Sequence, residues 1–252
     1  MTRLVAVTPK QHQDIQIDKQ KVEAHGAELN LIPVVTAEFT NLATQYPIVL
    51  TKNGDTGEFV CAAMLGFEAK ENLFWQNGQW QSIYLPLQIQ RQPFFIGNSN
   101  GEATTTNQDY VVCLDSESPA IVNSPSTSHS GDANPHLVRL FTDNGEESDY
   151  FQQIKQTLAH ILQGEQHTKA FIKALNTAQL IQPLSLEVTF ADQQSTRLNG
   201  LYTIDQQKLA ALTTEQVGKL HRDGWLAAIY TIITSLGQIY SLIERKNQRL
   251  TN

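Results

Sequence analysis

Gly97-Asn98-Ser99-Asn100-Gly101 has the G-x-S-x-G spacing of a nucleophile elbow, which presents a serine hydroxyl on a sharp strand-to-helix turn. The apolar Phe94-Phe95-Ile96 supplies a strand before it. The next residues, Glu102-Ala103-Thr104-Thr105-Thr106-Asn107, have no helical apolar period, and the pentapeptide reads equally as an ordinary loop. His221-Arg222-Asp223 has the order of a kinase catalytic loop and of the His-x-Asp pair that holds non-haem iron. A kinase needs Asn five residues after the Asp, where Ala228 stands, and an iron site needs a later His, but none follows His221. The triplet reads as a polar turn before Gly224. His160 with His167, and His25 with Glu28, lack the third ligand of a metal site. Glu146, Glu147 and Asp149 suit the positive end of a helix dipole. Phosphate-loop, dinucleotide and C-x-x-C signatures are missing. An enzyme, on this reading, is a hydrolase using Ser99 or a metal-dependent, oxygenase-like protein using His221 and Asp223.

Cys61 and Cys113 each sit in an apolar, strand-like run without neighbouring ligands, so both read as reduced, buried thiols. The densest aromatic segment holds Phe74, Trp75, Trp80, Tyr84, Phe94 and Phe95, with Arg91 among them. Trp75, Trp80, Tyr84, Arg91 and Phe94 are the candidate ligand- or partner-binding residues, against the alternative that aromatics at strand spacing fill a core. No catalytic residue, metal ligand or cofactor is assigned.

The elements that must position these groups follow from pattern. Residues 1–30 read as a polar, extended lead-in, with only Ile15 and Ile17 suggesting order. Leu31–Val35, interrupted by Pro33, suits an edge strand. Tyr46–Thr51 and Glu58–Leu65 flank Asn53-Gly54, the strongest short hairpin signal. A second turn is expected at Asn77-Gly78, then helical turns over Leu87–Gln92. Strands are expected at Phe94–Ile96, Tyr110–Leu114 and Leu137–Phe141, with Asn123–His136 a surface loop. From Tyr150 the period becomes helical, and Gly164 reads as the C-cap of a helix followed by a second over Glu165–Ala178. Leu184–Phe190 and Arg197–Thr203 form a further hairpin. Asp205 caps a short helix, Thr213 or Thr214 caps the next, and a last helix spans Trp225–Arg249. The fold class is α+β, in a single domain over residues 1–252. Its N-terminal portion, residues 1–142, is β-rich with antiparallel hairpins, and its C-terminal portion, residues 143–252, is mainly helical with one β-hairpin.

The chain has 252 residues, a net charge of −7 and a mean hydropathy of −0.30. Residues 101–150 carry one Arg against 9 acids, so the acidity is local. That excludes a generally basic nucleic-acid binder or polybasic membrane-surface protein. The N-terminus has an apolar run of four residues, short of the ~7–15 of a secretory signal. Thr231, Thr234 and Ser235 interrupt the apolar stretch Trp225–Leu236, so no membrane span is expected. The cytoplasm is the expected location. Ile229, Leu236, Ile243 and Leu250 form a heptad series that would suit a homodimer.

The ordered set Ile32-Pro33-Val34-Val35, Ala37-Glu38-Phe39, Tyr46-Pro47-Ile48-Val49, Glu71-Asn72-Leu73-Phe74, Trp80, Tyr84-Leu85-Pro86, Arg91 and Pro93-Phe94 resembles the SapC family of bacterial proteins. The likeness continues through Gly200-Leu201-Tyr202, Asp205, Lys208-Leu209, Leu220, Gly224, Ile229-Tyr230 and Ser235-Leu236, and spans roughly Leu31 to Leu250. Gln92 departs from it, since the family often has a second Arg before Pro-Phe. The resemblance implies an accessory role near surface-layer protein export or peptide and protein modification. The family has no established catalytic residues to carry over. The expectation is a non-enzymatic binding protein with a protein or peptide partner, without nucleic-acid binding or direct membrane insertion.

Overall fold

The computed structural model describes residues 3–97, 110–123 and 134–251. It is a mixed α+β protein, with antiparallel sheets mostly in the N-terminal half and long helices in the C-terminal half. Two compact units divide it. Met1–Gly26, Asn77–Trp80 and Leu87–Leu162 form the first, and Ala27–Gln76, Gln81–Pro86 and Gln163–Asn252 form the second.

In the first unit, Val111–Asp115 is the middle strand between Leu4–Ala6 and Phe94–Gly97, with Cys113 opposite both Ala6 and Phe95. Ile15–Asp18 is the middle strand between Ile121–Asn123 and Leu137–Arg139. The N-terminal segment, read as an extended lead-in, therefore supplies a central strand. Its Ile15 and Ile17 alternate as a strand requires, and Ile17 is fully buried among Phe94, Leu114, Leu140, Phe141 and Phe151. Two short helices, Pro9–His12 and Lys19–Ala24, interleave with the strands. Asp18 caps the second by accepting the Gln20 N–H at 3.0 Å. The loop read at Asn123–His136 lies largely outside the described residues, as does Ser99.

The second unit holds a five-stranded sheet ordered Ile181–Pro183, Leu201–Ile204, Ile48–Lys52, Phe59–Met64, Leu31–Pro33. Pro33 ends the edge strand, as expected of a residue without an N–H. The Ile48–Lys52 and Phe59–Met64 hairpin forms as read, with the Asn53 side chain accepting the N–H groups of Asp55 and Thr56. The later hairpin joins Leu186–Thr189 to Ser195–Leu198. The stretch read as one strand over Arg197–Thr203 is divided at Gly200, whose φ of 75° turns the chain so that Leu201–Ile204 enters the main sheet.

Two glycines behave differently from the sequence reading. The long helix runs unbroken over Asp149–Thr177, through Gly164. A Cβ at Gly164 would lie 2.8 Å from Val35 Cβ, so this glycine allows close packing rather than ending the helix. The last helix breaks instead at Leu236-Gly237, giving Trp225–Ser235 and Gln238–Thr251. Taken together, Trp225–Thr251 is long and apolar enough by length and composition to cross a membrane, its most apolar 18-residue window having a mean hydropathy of 1.6. This corrects the reading that counted Thr and Ser as interruptions, because no charge intervenes between Trp225 and Ile243. Only 28% of its most apolar window is buried, while Ile229, Ile232, Ile239 and Leu242 turn inward. Trp225–Ser235 packs on Ile48–Lys52, Leu201–Ile204 and Phe39–Leu42. Ile229 of the heptad series is thereby buried within its own chain.

Candidate binding cleft

The aromatic residues singled out in the sequence fall to different units. In the first, Phe94 is fully buried, edge-on to Tyr150 at 6.4 Å and tilted against Phe151 at 6.0 Å. It is core. Arg91 is committed locally: its guanidinium lies 4.3 Å over Phe95, its Nε donates to Gln88 at 2.6 Å, and its Nη1 donates to the Phe94 carbonyl at 2.9 Å. Gln92 is buried, and its amide donates to the Gln88 carbonyl at 3.4 Å. The half-buried Trp80 lies where a Cβ on Gly26 would stand, 2.4 Å from Cζ3, and its backbone N–H donates to Glu23 at 3.2 Å.

In the second unit, Tyr84 belongs to a buried polar network. Its hydroxyl donates to Glu38 Oε2 at 3.2 Å, while Glu38 Oε1 accepts the Val35 N–H at 3.2 Å. Tyr46 donates to the Tyr84 carbonyl at 2.7 Å, and its hydroxyl lies 2.5 Å from Ser82 Oγ. Burial, then the neighbouring Glu38 carboxylate, raises the Tyr84 pKa well above its usual value. The phenol therefore stays protonated and acts as a fixed donor. Arg245 lies 4.5 Å over Phe74, whose own ring packs 4.4 Å from Tyr46. Trp75 is half-buried, and its carbonyl accepts from Arg249. The network ties the segment Gln81–Pro86 to Glu38, which is 2% exposed.

A cleft of about 640 Å³ opens elsewhere in the second unit, among the long helix, the helix Thr214–Arg222 and Trp225. Its floor is a row of small residues, Ala170, Ala174 and Ala178, spaced by four and so on one helical face. The buried Leu220 and Trp225 supply the apolar wall. His167 stands 4.6 Å from the Trp225 ring, with Nδ1 3.0 Å from Thr36 Oγ1. Phe171 backs the indole at 5.6 Å. Lys173, Lys219, Gln216 and Asp223 add polar groups to the lining. Thr213 closes one end of this wall by a reciprocal cap with Gln216, at 2.9 and 3.3 Å. Gly224, with φ 78°, makes the turn that swings Trp225 into place.

His221-Arg222-Asp223, read as a polar turn, instead closes a helix: His221 and Arg222 are its last residues, Asp223 is its C-cap, and Asp223 enters the cleft lining. Among the described residues no three His, Cys, Asp or Glu side chains gather as a metal site. Cys61 and Cys113 are free and buried, as expected. The sequence reading missed Lys173, Lys219, Trp225 and the alanine row. The signal was the four-residue spacing of Ala170, Ala174 and Ala178 at the end of the long helix.

The molecule is thus a mixed α+β protein with an apolar, solvent-open cleft between helices. A protein-family model, SapC, matches residues 7–242, nearly the whole chain, and the chain belongs to the SapC family. No curated protein and no solved structure matches it significantly.

Proposed function

We propose that the chain is a non-enzymatic accessory protein that binds a ligand in the cleft, in the service of surface-layer protein export or peptide and protein modification. The observation that carries the reading is the cleft itself. Its volume of about 640 Å³ lies within the ~300–1,000 Å³ of small-molecule sites, and its lining joins the apolar Ala170, Ala174, Ala178, Leu220 and Trp225 to a rim of polar side chains. The Ser235 hydrogen bond to Ile48 supports a C-terminal helix that stays on the sheet rather than entering a bilayer. Retention of compounds from a bacterial small-molecule extract tests the reading. The purified chain is equilibrated with the extract, washed and denatured, and released compounds are identified by mass. The expected result is a compound retained unchanged and lost when Ala170→Leu and Ala174→Leu together fill the floor. Conversion of the retained compound, or retention indifferent to the filled floor, would overturn it.

A further inference from the structure

The cleft lining carries two lysines against one carboxylate, in a chain whose net charge is −7. Lys173 and Lys219 approach it from different helices, and both are exposed. Among the described residues neither lysine, nor Asp223, takes part in a salt bridge. The rest of the lining is the alanine row, Leu220, Trp225, Thr177, Gln216 and His167.

We infer that the occupant is a small organic anion with a flat apolar body. Its body lies on the alanine row against the Trp225 ring, and its acid group meets Lys173 and Lys219. The alanine floor argues for flatness, because methyl groups in a row leave a shallow bed without branched knobs to interlock with a compact ligand. The two lining lysines argue for an acid group on the ligand, since ammonium groups act as point charges toward carboxylate or sulfonate alike. A neutral ligand of the same shape would leave the two ammonium groups solvated and gain nothing from them. This inference rests on the binding reading above and adds the chemistry of the ligand.

The test uses two fluorescent probes on the full chain: anilinonaphthalene sulfonate, and phenyl naphthylamine, which has a similar body without the acid. The sulfonate is expected to bind saturably, one per chain. Ala174→Leu should weaken both probes at least tenfold, on the order expected from filling the floor. Lys173→Gln and Lys219→Gln should each weaken the sulfonate about threefold, as an exposed charge contact of ~0.5–1 kcal/mol gives, and leave the neutral probe unchanged. Lys169→Gln, on the same helix but outside the lining, should change neither. Far-ultraviolet circular dichroism and melting of each variant separate loss of binding from loss of fold. Should Ala174→Leu not fold, Ala170→Leu takes its place. If the neutral probe binds as tightly as the sulfonate and both are lost on filling the floor, the cleft still binds but the anion inference falls. If neither probe binds saturably, or filling the floor leaves both unchanged, both readings fall.

Discussion

Ser235 is where the last helices are tied to the second unit's sheet, and removing its hydroxyl measures that tie. Its Oγ accepts the Ile48 N–H at 2.9 Å and donates to the Ile232 carbonyl at 2.7 Å, with the residue fully buried. Ile48 opens the strand Ile48–Lys52, whose pairing with Leu201–Ile204 reaches only Leu50 and Thr51. A helix side chain therefore takes the N–H at the strand's start. In Ser235→Ala that N–H stays buried without an acceptor, a loss of about 1–3 kcal/mol. The better helix propensity of alanine returns at most ~0.5 kcal/mol. The net expectation is a loss of about 1–2 kcal/mol, or roughly 2–8 °C in melting temperature for a chain of this size. Thr234→Ala is the matched control. Thr234 is the preceding residue and also bonds its helix, donating to the Tyr230 carbonyl at 2.8 Å, but it is exposed. Its loss should stay within about 0.5 kcal/mol. Thermal and urea melts give both values, and amide exchange at Ile48 localises the effect. If the two variants melt together, the buried hydroxyl does not anchor the helix and the argument fails.

Gly164→Ala should destabilise by about 1–3 kcal/mol through the forced contact with Val35. Gly218→Ala, where the new methyl meets only the flexible Arg222 Nη1 at 3.3 Å, should stabilise by up to ~1 kcal/mol; paired urea melts read the opposite signs. Thr203 Oγ1 is buried and without a partner, so Thr203→Val should raise stability by about 1–2 kcal/mol, and an unchanged or lower melting point would contradict it. Cys61 and Cys113 should resist Ellman's reagent at mildly alkaline pH until the chain unfolds, because burial pushes the Cys61 thiol up to about 12 and raises Cys113 as well. His12 is buried and its pKa is lowered, chiefly by that burial, with the Thr8 carbonyl opposing. The folded state then binds fewer protons than the unfolded one. Its contribution is present above the unfolded value of 6.5 and is lost as pH falls through the lower folded value. In His12→Asn the decline of stability with acidification below that point should be shallower in pH-dependent urea melts, and an equally steep decline would refute the assignment.

Residues whose work is finished within their own segment were legible in the sequence. Asn53 and Gly54 announce their hairpin, Asp205 caps by accepting the Lys208 N–H at 3.0 Å, and Thr213 with Gln216 forms the reciprocal cap. These signals are local because the donor and acceptor lie within four residues. Where a distant partner decides, the same residue types misled. Gly164 resembles a helix terminator until Val35 arrives against it, and Ile15–Asp18 looks irregular until strands from residues 121 and 137 onward pair with both its edges. Arg91 and Phe94 stood among the five binding candidates because aromatic and cationic groups also mark ligand sites. In the fold, Arg91 is spent on Phe95, Gln88 and the Phe94 carbonyl, and Phe94 on its core.

The cleft was hidden for a further reason, since it is made by what side chains omit. No motif marks three alanines that leave a hollow, and the walls come from a helix ending at Thr177 and another beginning at Thr214. Its charge was masked too, because a net charge of −7 does not say where the lysines gather. Most of the imbalance belongs to residues 101–150, whereas residues 151–252 carry 10 Lys and Arg against 7 acids. At physiological salt, fields from exposed charges fade beyond about 8 Å, so a bound anion responds to Lys173, Lys219 and Asp223 far more than to the chain's total. Net charge governs the approach of such a ligand, and the two lysines govern its residence. For that reason an acidic protein can hold an acid.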